Sequence, residues 1–453
     1  MTNIIVELSK YLIILLMACY TFSCFSIFTK EYMEDEKRVL IMQNIVMFLM
    51  HFLAYMVMYL KMNEPKLMFF YAAQVVYFLA VILLYSLIYP TVSKLIVNNM
   101  CMLISIGLIM ITRLNYGSAV KQFIFAVLGS VFGLVVPVII RKMKSLIDWT
   151  YIYAGVGLGA LTLVAVFAAT SGGAKLGFEI AGIGIQPSEF VKIGLIFFFS
   201  WFLQKNQEKI NRPSVLVTAA VLAAVPLALI LKQPDLSTSI VIVFFILCLI
   251  YMAGISYKWI AGALAVAVPS LALVVWLAEH NMMPFLEPYQ INRILAFINP
   301  GKYAELNLQQ DNSKMAIGSG RLYGKGLFND TAISVKNGNF LSEEHTDFIF
   351  SVIGEELGFI GCMIVLLLFL LFVFECLRMA SRARDMAGRL FCTGMAALVG
   401  FQSFTNIAVA TGVFPNTGLP LPFISYGVSS LASLYIGIGI LLNVGLQQRK
   451  LEF

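Results

Sequence analysis

Charge is what this chain has least of. Asp, Glu, Lys and Arg make up 12% of its 453 residues, against 60% hydrophobic residues, and mean hydropathy is +0.88. A soluble domain carries about twice that share of charge, so one is excluded as the main body of the protein. Histidine occurs three times, at scattered positions, which argues against a histidine-built metal centre. The seven cysteines fall in or beside apolar runs and none belongs to a CxxC; packing is their expected role. No Walker A loop is present, so the chain is not expected to drive transport with ATP by itself. No internal repeat is visible, which weighs against the common secondary-transporter folds. The net charge of +7 gives no reason to expect nucleic acid, because the positive residues sit in short segments between apolar runs.

Those apolar runs fill most of the sequence. Each is about 18–25 residues long, enough to cross a bilayer. The chain therefore reads as an all-α polytopic helical membrane protein. Thirteen spans are predicted, at about 10–29, 39–60, 67–89, 94–112, 119–140, 150–170, 188–203, 213–231, 237–254, 258–279, 348–376, 388–412 and 424–446. The first follows a single lysine, Lys10, and lacks a small-residue cleavage site, so a retained helix is expected rather than a signal peptide. Lys and Arg concentrate in segments 30–38, 141–149, 204–212 and 377–389. The positive-inside rule places these in the cytoplasm with the C-terminus, and the one long polar segment, about 280–347, outside.

Ionisable residues in such a chain mark candidate sites. Asp347, after His345 and Thr346, stands where the long polar segment enters an apolar helix. Its simplest reading is a helix N-cap. Gln186-Pro187-Ser188-Glu189 opens a span, with Pro187 suited to the first helical turn. Lys192 follows Glu189 on the same face, either as a self-compensating ion pair or as a pair lining a polar cavity. Asp235 reads as the N-cap of the next span. Arg293, near Gln290, is either a fork for a phosphate or carboxylate or a solvated surface charge. The glycines of 316–326 permit tight turns and close backbone approach to a ligand. The Gly/Pro-broken stretch 416–427 must be buried in protein or line a wet cavity, so a re-entrant cavity wall is expected there.

Several of these pieces occur in a known order: GAK at 173–175, QPSEFVK at 186–192, QPDLST at 233–238, PYQINRILAFINP at 288–300, AIGSG with GKG at 316–326, HTDFIFSVIGEELGFIG at 345–361 and TGLPLPFISYG at 417–427. Together they closely resemble the SEDS proteins (shape, elongation, division and sporulation), which include RodA, FtsW and SpoVE. The resemblance covers about 94–453, the family's ten-helix core, and leaves about three additional helices in 1–93. It implies a peptidoglycan glycosyltransferase of the bacterial cytoplasmic membrane. Such an enzyme polymerises lipid II on the outer face beside a class B penicillin-binding transpeptidase. Asp347 falls on the family's catalytic aspartate, and Glu189 and Lys192 on its cavity pair. Gln290, Arg293, Ser313, His345 and Ser425 are the further candidates for binding substrate or lining the cavity.

The implied reaction sends a sugar hydroxyl to an anomeric carbon bearing a lipid pyrophosphate. Asp347 is the expected base. Lys192, Arg293 or a divalent cation (Mg2+ or Mn2+) would meet the charge growing on the pyrophosphate. Gly177, Asn312, Ser342, Asn416 and Val428 depart from the usual pattern; they leave the base in place and bear on the cavity wall. A lipid II flippase and a weakly active scaffold for the transpeptidase are the two alternative readings.

Overall fold

The computed structural model is a bundle of membrane-length helices. It describes residues 2–29, 33–142, 150–167, 177–180, 183–233, 235–280, 288–327, 334–338, 340–342 and 344–447. In chain order these form α1 (Thr2–Ile27), α2 (Met33–Met62), α3 (Lys66–Ile88), α4 (Lys94–Leu114), α5 (Tyr116–Lys142) and α6 (Thr150–Phe167). A short hairpin of β1 (Phe178–Ile180) and β2 (Ile183–Ile185) follows, then α7 (Pro187–Lys205), α8 (Pro213–Lys232), α9 (Leu236–Met252) and α10 (Tyr257–Glu279). The remainder is α11 (Pro288–Ile298), α12 (Ala304–Ser319), α13 (Val335–Gly338), α14 (Ile349–Ser381), α15 (Met386–Ala410) and α16 (Val428–Leu446).

A helix meets each of the thirteen predicted spans. Among the described residues, nine are long and apolar enough to cross a membrane by themselves, while the apolar stretches of α6 and α9 are shorter. The all-α bundle is as expected, and three details are added to it. The segment 280–347 is not simply a loop, because α11, α12 and α13 lie within it. The antiparallel pair, with Phe178 opposite Ile185, adds a hairpin to the otherwise all-α chain. The last helix starts at Val428 rather than near 424, which leaves 411–427 non-helical.

Polar side chains join α2 and α3 to the rest. α4 packs on α2, α3, α5 and α14, and its apolar window is entirely buried. On α4, Asn98, Ser105 and Thr112 recur at heptad spacing along one face. They bond in turn to Gln43 at 3.1 Å, His51 at 2.7 Å and Tyr55 at 2.9 Å of α2. Such bonds between spanning helices are worth about 0.6 kcal/mol each. Tyr77 of α3 likewise bonds to Tyr435 of α16.

The 33 residues of α14 conceal a break at Gly358, whose φ is 67° and ψ −167°. The glycine-rich segment after α12 docks there. Lys325 N and Gly326 N donate to the carbonyls of Glu355 and Glu356, both at 2.9 Å; Phe359 N donates to Arg321 O at 2.8 Å. A Cβ on Gly320 would lie 1.9 Å from Gly354 O, and one on Gly324 2.1 Å from Glu356 O. The close approach read from these glycines is therefore to another stretch of backbone.

Candidate active site

The loop ends sort into two groups by their hydrogen bonds. At one end of the bundle Ser93 bonds to Glu375, Ala387 N to Gln204, and Ser256 N to Asn211. At the other lie the start of α7, the start of α9, the entry to α14 and the broken segment 416–427. The motif residues gather at this second end.

Asp347 is half-buried in a turn just ahead of α14. The N-cap position is Phe348, so Asp347 stands one residue ahead of it. The backbone around Asp347 is tied to the broken segment at successive residues. Tyr426 N donates to His345 O at 2.8 Å, and the His345 and Tyr426 rings are 5.5 Å apart. Ser425 Oγ donates to Thr346 O and accepts from Leu421 N at 2.8 Å. Asn406 Nδ2, from α15, donates to Asp347 O at 2.8 Å and to Leu419 O at 2.7 Å. Gly418 faces the carboxylate: a Cβ there would stand 3.4 Å from Asp347 Oδ2.

The Glu189–Lys192 pair forms as its spacing suggests, at 2.8 Å, with side chains 4% and 1% exposed. Lys192 Nζ also donates to Gln402 Oε1 at 3.1 Å, and Gln402 Nε2 donates to Pro420 O at 3.0 Å. The pair thus reaches the broken segment through one side chain of α15. Its helix opens as expected, with Gln186 at the cap and proline in the first turn. Gln186 Nε2 donates to Asp235 Oδ2 at 3.4 Å. Asp235 caps α9 by accepting from Thr238 N at 3.0 Å. Burial raises its carboxyl above the ordinary value, opposed chiefly by that backbone N–H.

Arg293 is half-buried, and its Nη1 donates to Asn416 O at 3.2 Å, which draws it into the wall of the broken segment. Ser237 Oγ donates to Thr417 O. Gln290 lies on α11, and its side chain falls outside the described residues. Ser313 is buried, with its hydroxyl bonded to Ser351 Oγ and Ala410 O. It joins α12 to α14 and α15. Ser425 is likewise committed to protein groups. GAK at 173–175 lies outside the described residues. At Gly177 a Cβ would come 2.1 Å from Ile185 O, so the hairpin as folded admits no side chain. The reading by motif did not single out Gln402 and Asn406. The available signal was two polar residues four apart on one face of an apolar span.

A family described as "Cell cycle protein" (FtsW, RodA, SpoVE) matches residues 89–450. The chain belongs to this family. It is 35% identical over 326 residues to a probable peptidoglycan glycosyltransferase FtsW of Trichlorobacter lovleyi, covering 72% of this chain and 82% of that one. It is 32% identical to the peptidoglycan glycosyltransferase MrdB of Escherichia coli K12, covering 71% and 84%. Two solved structures share the fold. The Thermus thermophilus rod shape determining protein RodA aligns at a TM-score of 0.59 and 26% identity, over 79% of this chain and 98% of that one. A chain from a peptidoglycan synthase complex that coordinates polymerization and crosslinking aligns at 0.65 and 28%, over 78% and 97%. The family match begins at residue 89, after α1, α2 and α3.

Proposed function

We propose that Asp347 is the general base with which this multi-pass membrane glycosyltransferase of cell-wall synthesis polymerises lipid II at the outer membrane face. The arrangement of Asp347 supports this most directly: a half-buried carboxylate at a helix mouth, faced by a glycine, with its backbone tied to a wall that Lys192 also reaches through Gln402. Asp347 takes the proton of the acceptor N-acetylglucosamine 4-hydroxyl as its oxygen bonds to the anomeric carbon. The bond from that carbon to the pyrophosphate oxygen breaks, and the lipid pyrophosphate leaves with the electron pair. A hydroxyl is a poor nucleophile at neutral pH, and a positioned base contributes about 10²–10⁴-fold. Lys192 and Arg293 are the cations that would favour the leaving charge.

A divalent cation, Mg2+ or Mn2+, fits a limited oxygen set here. Asn416 Oδ1 and Thr417 Oγ1 are buried without a hydrogen-bond partner, and among the described residues no cluster of three His, Cys, Asp or Glu exists. These two neutral oxygens would be the protein's share of a shell otherwise made of water and substrate phosphate. Such an ion would neutralise pyrophosphate charge. The partner we propose is a class B penicillin-binding transpeptidase, in keeping with the synthase complex whose chain this one resembles. The C-terminus is assigned to the cytoplasm.

The test is purified full-length protein in liposomes with labelled lipid II, with and without a transpeptidase. Glycan strands from the wild type, and loss of about 10²–10⁴-fold in Asp347→Asn with normal folding, are expected. Movement of lipid II between leaflets without strands would favour the flippase. Strands at near-normal rate from Asp347→Asn would reject the base.

A further inference from the structure

One buried side chain touches both sides of the site. Asn406 is 1% exposed on α15. Its Nδ2 donates to the carbonyls of Asp347 and Leu419, at 2.8 Å and 2.7 Å. Both partners are acceptors only, so the amide nitrogen, not the oxygen, must face them. Both hydrogens on that nitrogen are engaged. Asp347 lies in a turn ahead of α14, and Leu419 follows Gly418, whose φ is +73°. Neither stretch has helical bonds of its own to set the gap between them. Ser425 and Tyr426 secure the carbonyls of Thr346 and His345; Asn406 secures that of Asp347 itself, and does so from the rigid span that also carries Gln402.

We propose that Asn406 is a positioning residue for the glycosyl transfer. It holds the Asp347 main chain at a set distance from the Gly418–Leu419 wall, so that the carboxylate meets the acceptor hydroxyl. This rests on Asp347 being the base. Asn406 neither touches the reacting atoms nor accepts the proton, so its loss acts on the rate of the chemical step and leaves lipid II binding in place. A misplacement of about 1 Å can cost about 10²-fold in rate.

The test is a double-mutant cycle on the full chain in lipid nanodiscs with labelled lipid II. Asn406→Ala and Asn406→Ser are each measured alone and combined with Asp347→Asn, with thermal melting as the check on folding. Asn406→Ala should lower kcat about 10–100-fold, with KM changed less than about twofold. Combined with Asp347→Asn, it should lower the residual rate no further, because the group it positions is already gone. If Asn406→Ala does not fold, the neutral Asn406→Ser, whose hydroxyl keeps one donor, carries the cycle. Losses that multiply in the double variants, a change in KM alone, or an unaltered kcat would each overturn the proposal. Near-normal activity in Asp347→Asn would instead reject the base. An inactive Asp347→Asn beside unaltered Asn406 variants rejects only the positioning role.

Discussion

The carboxylate of Asp347 rests against Gly418, which sits in the left-handed region of backbone space with φ of +73°. A methyl group at Gly418 would stand 3.4 Å from Oδ2, an ordinary contact, so backbone strain rather than space limits substitution. The left-handed conformation costs a non-glycine residue about 1–2 kcal/mol. Gly418→Ala should therefore fold with a slightly lower Tm, yet polymerise more slowly as the wall shifts toward a relaxed backbone. Parallel melting curves and strand synthesis check this; unchanged synthesis would show that the wall tolerates movement.

Glu189 and Lys192 make a second testable unit. Removing one partner of a buried pair leaves an uncompensated charge and costs about 3–5 kcal/mol. Lys192→Met should thus yield little folded protein. The swap Glu189→Lys with Lys192→Glu restores neutrality, and should recover expression. It breaks the Lys192–Gln402 bond, so activity should stay low. Normal expression and strand synthesis in both single variants would make the pair a bystander.

The spans were legible because crossing a bilayer sets a minimum apolar length, which α4, α8 and α15 met almost to the residue. The pair of Glu189 and Lys192 was legible for the same reason: charges in an oily helix must find partners. The break in α14 was not, because Gly358 sits in an apolar stretch that reads as continuous helix. Its cause lies in a distant segment, 320–326, whose glycines serve backbone docking on α14. Ser313 shows the same limit. It reads as a candidate for substrate or cavity, yet its hydroxyl is spent on Ser351 and Ala410, between α12, α14 and α15.

The docking at the α14 break gives a purely structural prediction. Gly324 has φ of +72°, and a Cβ there would meet Glu356 O at 2.1 Å, backbone against backbone. Left-handed strain of about 1–2 kcal/mol adds to a clash that no side-chain rotation relieves. Gly324→Ala should lose most folded protein, measured as monodisperse material after detergent extraction. Gly318→Ala, where a Cβ meets nothing within 4 Å, should extract normally. Equal yields from the two variants would show that the segment does not depend on this docking.

Orientation rests on charge and can be read directly. Arg378, Arg382, Arg384 and Arg389 cluster where α14 ends and α15 begins, at the end of the bundle away from Asp347. Positive residues flanking spans stay on the cytoplasmic side, so Asp347 and α12 should face outward. The native Cys19 is exposed and must first be replaced by serine. Single cysteines are then placed at Met315, which is 62% exposed on α12, and at Arg382, which is exposed beyond α14. In intact spheroplasts an impermeant maleimide should label Met315→Cys, and should label Arg382→Cys only after lysis. The reverse pattern would invert the bundle and put Asp347 on the cytoplasmic face, where outer-face strand synthesis could not use it.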